Sequence, residues 1–279
     1  MQIVSTIAAA RETRARLDGT LGFVPTMGFL HEGHLSLVRR AQEECDAVAV
    51  SIFVNPTQFA PDEDLNRYPR ALERDLSLLR EAGVSLVFTP DAGEIYPPGF
   101  DTSIDVGEVS RPLEGAFRPG HFSGVATVVA KLFNIIQPTK AFFGQKDAQQ
   151  CAVISKLVTD LNIPVEVVVC DIVRNEKGLA LSSRNSYLSK SEQERALLLH
   201  DSLGKAEGHI AAGERNASTI RALIGDILSK DADFCVDYIS VADPHTLTEL
   251  ENIDDEALIS LAVRVGATRL IDNVVVRKK

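Results

Sequence analysis

Apolar residues in the first two thirds of the chain alternate between two rhythms. Short unbroken runs at 21–24, 47–54 (AVAVSIFV), 84–89, 141–143 and 165–170 read as strands. Continuity of the kind seen in AVAVSIFV is what burial on both faces of a sheet produces. Between these runs the spacing turns helical. It does so from the residues after Gly28 to about Cys45, across 71–82 (ALERDLSLLREA) with Gly83 as its stop, over 125–136, and over 149–161, closed by Asn162-Ile-Pro164. At the N-terminus QIV is strand-like and 5–17 reads as a surface helix. A repeated β–α–β order implies a parallel sheet with helices on both faces, the α/β class. Ligands of such sheets sit at the carboxyl ends of the strands.

Beyond Val173 the pattern changes. Residues 191–212 and 218–229 read as helices, with Ser191 ahead of Glu192 and Glu194 as the cap of the first. Residues 236–241, 258–263 and 270–275 read as short strands. The last two are separated by too few residues for a crossover, so they should pair antiparallel. The expectation is a parallel-sheet domain over 1–173 and a smaller α+β domain over 174–279.

Composition narrows this picture. At 279 residues the chain is past the size at which one core usually divides. A formal charge of −10 argues against a general nucleic-acid binder, which would carry a basic excess. Cys45, Cys151, Cys170 and Cys235 are scattered without metal-ligand or redox spacing and read as reduced thiols. No apolar run approaches the ~20 residues of a membrane span, and no secretory apolar core is evident, so a cytoplasmic location is expected.

The candidate chemistry begins with PTMGFLHEGHLSLV, residues 25–38. A strand breaks at Pro25, passes Gly28, and reopens as a helix whose first turn carries His31 and His34. Residues three apart share a helix face, and a helix N-terminus already favours an anion. The pair therefore reads as a phosphate site. It is not the zinc motif HExxH, whose histidines stand four apart, and no metal-ligand set is expected. Gly33 leaves room for a nucleoside to approach the backbone. Asn55-Pro-Thr-Gln58-Phe59 follows the next strand and reads either as polar contacts for a small substrate or as a plain turn, since Asn-Pro is turn chemistry anywhere. FGQKDAQQ (143–150) puts Lys146, a mobile point charge, at a strand end. LSSRN (181–185) offers two hydroxyls and a guanidinium suited to phosphate oxygens. LEGAFRPGHF (113–122) is either a flap over a site or a long connection.

Together PTMGFLHEGH, SIFVNPTQF, LEGAFRPGHFSGV, FFGQKDAQQ and LALSSRN resemble the pantothenate synthetase (pantoate–β-alanine ligase) family, in its order and spacing over nearly the whole chain. The resemblance implies a Rossmann-like N-terminal domain with an HxGH signature, the C-terminal domain closing over an ATP site. It implies ATP-dependent joining of (R)-pantoate to β-alanine through a pantoyl adenylate, Mg²⁺ carried on the ATP phosphates, and a homodimer. By motif position His34, His31, Lys146 and Arg184 would be catalytic. Met27, Gly28, Phe29, Leu30, His31, Glu32, Gly33 and His34 would contact ATP, as would Gly144, Gln145, Lys146 and Asp147, then Val173, Leu181, Ser182, Ser183 and Arg184. Gln58 and Gln150 would hold pantoate, Gln58 also lying near β-alanine with Asn55 as its neighbour. Two other classes share the strand–loop–HxGH opening. One is a nucleotidyltransferase acting on a phosphorylated acceptor, disfavoured by the Gln58/Gln150 pair; the other is a non-catalytic nucleotide sensor, which would bind ATP without releasing pyrophosphate.

Overall fold

The computed structural model describes residues 1–61 and 63–277. The elements run β1 (Gln2–Val4), α1 (Ile7–Arg14), β2 (Leu21–Thr26), α2 (Glu32–Glu44), β3 (Ala47–Ile52), α3 (Leu72–Glu81), β4 (Leu86–Phe88), α4 (Ala92–Ile95), α5 (Glu114–Phe117), α6 (His121–Ile136), β5 (Lys140–Gly144), α7 (Ala148–Asp160) and β6 (Glu166–Cys170). Helices and then a meander follow: α8 (Lys190–Arg195), α9 (Leu197–Ala211), α10 (Ala217–Leu228), β7 (Phe234–Ala242), β8 (Glu256–Val265) and β9 (Thr268–Arg277).

The chain divides into two compact units, Met1–Gln145 with Val153–Asp171, and Lys146–Ala152 with Ile172–Lys279. The first is a six-stranded sheet in the order β1-β4-β3-β2-β5-β6, parallel throughout. Its core follows the two-sided burial that the apolar runs imply. Val24, Val48, Val50, Val87 and Phe142 pack under Leu37, Val38 and Ala41 of α2 and Leu76 and Leu79 of α3. On the other face Phe23 meets Phe133 of α6 edge-on. Strand order reverses between β2 and β5, which are neighbours. That reversal is where a parallel sheet opens a crevice at its carboxyl edge, and the segments that leave β2 and β5 are PTMGFLHEGH and FGQKD.

The second unit holds the three-stranded sheet β7-β8-β9, antiparallel as its short connections require. Ile259, Leu261, Val263 and Val265 of β8 form a core with Leu199, Leu203, Ile220 and Ile224 of α9 and α10.

Three local expectations need correction. The helix expected over 191–212 is two, α8 and α9, parted at Ala196. Its cap is Ser189, not Ser191: the Ser189 hydroxyl accepts from the Glu192 N–H while Glu192 reaches back to the Ser189 N–H. Ser191 has an acid at the same spacing, Glu194, but it stands inside α8, whereas a capping residue stands just outside the helix it caps. Helix α6 begins at His121, four residues before its apolar run, because His121 and Phe122 are themselves buried. The 113–122 stretch accordingly holds the short helix α5 and ends in a buried helix start.

Candidate functional site

The loop leaving β2 is held from below before any ligand enters. Thr26 Oγ1 donates to the Ser51 carbonyl (2.7 Å) and accepts from the Gly28 N–H (3.2 Å). Gly28 (φ 83°) and Phe29 (φ 51°) are both in the left-handed region, which a phenylalanine enters at a cost. The compensating contact comes from α3. The Asp75 carboxylate, only 1 % exposed, accepts from the N–H of Phe29 (2.7 Å) and of Leu30 (2.8 Å). Arg74 donates to the Leu30 carbonyl (2.9 Å) and lies over the Phe29 ring. Sequence reasoning missed Asp75. The signal was present: a charge on the stripe that α3 buries with Leu76 and Leu79 is rare unless it is paired.

The loop delivers the chain into α2 with His31 as its N-cap and His34 in its first turn. His31 Nδ1 accepts from the Gly33 N–H (3.1 Å) and His34 Nδ1 from the His31 N–H (3.3 Å), a reciprocal box made of two imidazoles. The rings lie 4.1 Å apart, tilted by 37°. An Nδ1 that accepts carries no proton, so the neutral form of each ring is the Nε2–H tautomer, assigned from this network. Each imidazole is thus a fixed hydrogen-bond donor before any charge is placed on it, at the positive end of the α2 dipole.

The turn after β3 forms the second cluster of the same unit. Asn55 is 1 % exposed. Its Oδ1 accepts from the Thr57 N–H and hydroxyl and from the Tyr96 hydroxyl (2.8 Å); its Nδ2 donates to Gln58 Oε1 (3.1 Å) and to the Gly124 carbonyl (3.2 Å). With Oε1 of Gln58 engaged, the Nε2 of that carboxamide is set as the donor and lies 3.1 Å from Met27 Sδ. The structure therefore brings Gln58 beside the 27–34 loop. Gly124 of α6 makes room for the turn: a Cβ there would lie 2.4 Å from the Thr57 carbonyl oxygen.

Glu63, Arg118 and His121 brace this turn and were not singled out as site residues. Arg118 makes a two-pronged pair with Glu63 (2.6 and 2.9 Å) and donates to His121 Nε2 (3.1 Å). Because Arg118 can only donate, His121 Nε2 accepts and Nδ1–H donates to the Gln58 carbonyl (2.8 Å). Burial and then the Arg118 charge push the His121 imidazole down to about 4, against the pull of the Gln58 hydrogen bond, Glu63 and Glu114. Burial alone would raise the Glu63 carboxyl, but the Arg118 hydrogen bonds and charge outweigh it and hold it below the usual range.

The remaining sequence-derived candidates lie at the end of β5 and in the second unit. Gly144 ends β5, and Gln145, Lys146 and Asp147 form a single 3₁₀ turn. The Lys146 ammonium is 3.5 Å from Asp147, and the Lys146 carbonyl accepts from Asn273 Nδ2 (3.0 Å). Gln150 stands on the first turn of α7, partly exposed. Val173 and Leu181 are joined by a backbone hydrogen bond (2.9 Å). Ser182 caps the turn Ser183–Tyr187 by accepting from the Arg184 N–H (3.3 Å), with Ser183 buried. The 173–184 segment is anchored by Arg174, paired at 2.6 and 2.9 Å with the buried Asp272 of β9. Among the described residues no three His, Cys, Asp or Glu side chains are grouped to hold a metal, and no helix is long and apolar enough to cross a membrane.

Comparison with known proteins establishes the family. The family model described as pantoate-beta-alanine ligase matches residues 2–275. The pantothenate synthetase of Roseiflexus sp. (strain RS-1) is 58 % identical over 275 residues, 99 % of each chain. The crystal structure of pantothenate synthetase from Thermus thermophilus superposes with a TM-score of 0.94 at 48 % identity, covering 98 % of this chain and 99 % of that one. The pantoate-beta-alanine ligase of Francisella tularensis, solved in complex with beta-gamma ATP and beta-alanine, gives a TM-score of 0.80 at 36 % identity over 98 % and 97 % of the two chains. The chain therefore belongs to the pantoate–β-alanine ligase family, whose members join pantoate to β-alanine through a new C–N bond.

Proposed function

We propose that the chain carries out this ligation in two steps, with Mg·ATP as co-substrate. In the first, a carboxylate oxygen of (R)-pantoate attacks the α-phosphorus of ATP, forming pantoyl adenylate and releasing pyrophosphate. In the second, the amine of β-alanine attacks the acyl carbon, AMP leaves, and the nitrogen loses a proton. The Mg²⁺ arrives on the phosphates as part of the substrate. The beta-gamma ATP and beta-alanine bound in the Francisella tularensis relative support the choice of substrates.

The observation that carries this reading is the pair of Nε2–H donors at the start of α2. A carboxylate and a triphosphate repel one another, and further negative charge gathers on the phosphoryl oxygens as they react. Donors fixed in advance at that charge lower the barrier without reorganising. His31 and His34 are such donors, because their other nitrogens are spent on the backbone. By motif position Lys146 and Arg184 are assigned the same electrostatic task, with Ser182 and Ser183 as neutral donors. Residues 27–30 and 32–33, with Gly144, Gln145 and Asp147, are read as further ATP contacts, and Val173 and Leu181 as neighbours of the adenine. Gln58, its carboxamide oriented by Asn55, and Gln150 hold pantoate. Buried and fully bonded, Asn55 acts on the substrates through Gln58. A cytoplasmic homodimer completes the reading, in keeping with four free thiols; light scattering measures the assembly.

The decisive experiment follows oxygen. With Mg·ATP, β-alanine and pantoate labelled with ¹⁸O in its carboxyl group, one label must appear in AMP for each amide formed. Amide product with unlabelled AMP would refute the adenylate.

A further inference from the structure

The Glu63–Arg118–His121 chain has no place in the two steps above, yet it is built at some cost: a histidine only 9 % exposed stands against an arginine. Burying polar groups is unfavourable unless each is paired, and here each is. Glu63 binds both prongs of the Arg118 guanidinium, Arg118 donates to His121 Nε2, and His121 Nδ1–H reaches the Gln58 carbonyl. Arg118 Nη2 also points to that carbonyl, at 3.4 Å. The direction of every proton follows from the first member, since a carboxylate only accepts and a guanidinium only donates. A helix cap alone does not need this chain, because its terminal hydrogen bond lands on residue 58, far outside α6.

We propose that Glu63, Arg118 and His121 are a positioning relay that fixes the main chain at Gln58 and so sets the direction in which its carboxamide is offered to pantoate and β-alanine. Two anchors then define that carboxamide. Asn55 holds its oxygen from one side, at 3.1 Å, and His121 holds the backbone that carries it. None of the three relay residues touches substrate. The inference rests on the assignment of Gln58 to pantoate and β-alanine, and its test separates the two.

Steady-state KM values for ATP, pantoate and β-alanine are measured for Gln58→Ala, His121→Ala and His121→Asn, with far-ultraviolet circular dichroism to confirm folding. His121→Ala is expected to raise KM for pantoate and β-alanine roughly tenfold, the size of one lost buried hydrogen bond, and to leave that for ATP within about twofold. His121→Asn places an amide N–H where Nδ1–H stood and is expected to recover most of the loss. Should His121→Ala fail to fold, Arg118→Lys, which keeps the charge but not the fork, is expected to show the same substrate pattern. If Gln58→Ala leaves pantoate and β-alanine untouched, the assignment of Gln58 falls. If Gln58→Ala shows the pattern while the relay variants move all three KM values together or none, or if His121→Asn is as impaired as His121→Ala, the relay is overturned.

Discussion

Removing the Asp75 carboxylate tests whether the loop between β2 and α2 is held in place by α3. Its two oxygens accept the N–H groups of Phe29 and Leu30 at 2.7 and 2.8 Å, with Asp75 and Leu30 each 1 % exposed. Water cannot replace the carboxylate without opening the loop. A buried donor left unpaired costs about 1–3 kcal/mol, so Asp75→Ala should cost about 2–6 kcal/mol in two such losses. Asp75→Asn keeps one acceptor oxygen and turns an NH₂ toward the other donor, for about half that cost. The upper bound is the energy of letting the loop go. In that event Phe29 leaves its positive φ, recovers ~1–3 kcal/mol of backbone strain, and the fold survives with this loop disordered. Either outcome appears in two assays read together: urea unfolding of the first unit, and pyrophosphate release as a function of ATP. The expected order is wild type, Asp75→Asn, Asp75→Ala in both, with KM for ATP raised at least tenfold in the alanine variant. An Asp75→Ala enzyme with unchanged unfolding free energy and unchanged adenylation would refute the reasoning.

His34→Ala or Lys146→Ala should each add ~2.7–4 kcal/mol to the adenylation barrier, the scale of one lost preorganised donor; single-turnover AMP formation near the wild-type rate in both would exclude those roles. His31→Asn separates capping from chemistry, because asparagine caps well but has no Nε2–H, so activity should fall with the melting midpoint unchanged. Stability should also depend on pH through His121, whose imidazole is held at about 4 against an ordinary 6.5 by burial and by Arg118, with Glu63 and Glu114 opposing. Between those values the unfolded chain takes up a proton that the folded chain refuses. The stabilisation is therefore complete above pH 6.5 and drains as pH falls toward 4, about 3 kcal/mol in all; equal acid sensitivity in wild type and His121→Asn urea titrations would contradict this. Gly124→Ala should destabilise, although an alanine in a helix interior normally gains about 1 kcal/mol over glycine, because its Cβ would stand 2.4 Å from the Thr57 carbonyl oxygen. A raised melting temperature would show that α6 can shift away.

Local pattern carried most of the architecture. The apolar runs and helical spacings locate β2 through β6 and α2, α3 and α7, because burial on a sheet or under a helix stripe leaves a period in the sequence. The antiparallel pairing of the last strands followed from their short connection alone. The motifs likewise announced both imidazoles, and their spacing anticipated a shared helix start, though not that each ring would cap the backbone and thereby choose its tautomer. That outcome depended on His31 standing just outside α2, a boundary that periodicity leaves uncertain.

The layered α/β design, the second sheet and the segments that bear chemistry are all written in residues close together along the chain, and so could be read without the fold. What holds those segments in working shape is written nowhere locally. Asp75 reaches Phe29 across 46 residues, Arg118 reaches Glu63 across 55, and His121 reaches Gln58 across 63. A hydrogen bond between such distant partners leaves no periodic trace in either neighbourhood. It exists only because the folded sheet and helices bring the two together and exclude the water that would otherwise satisfy them.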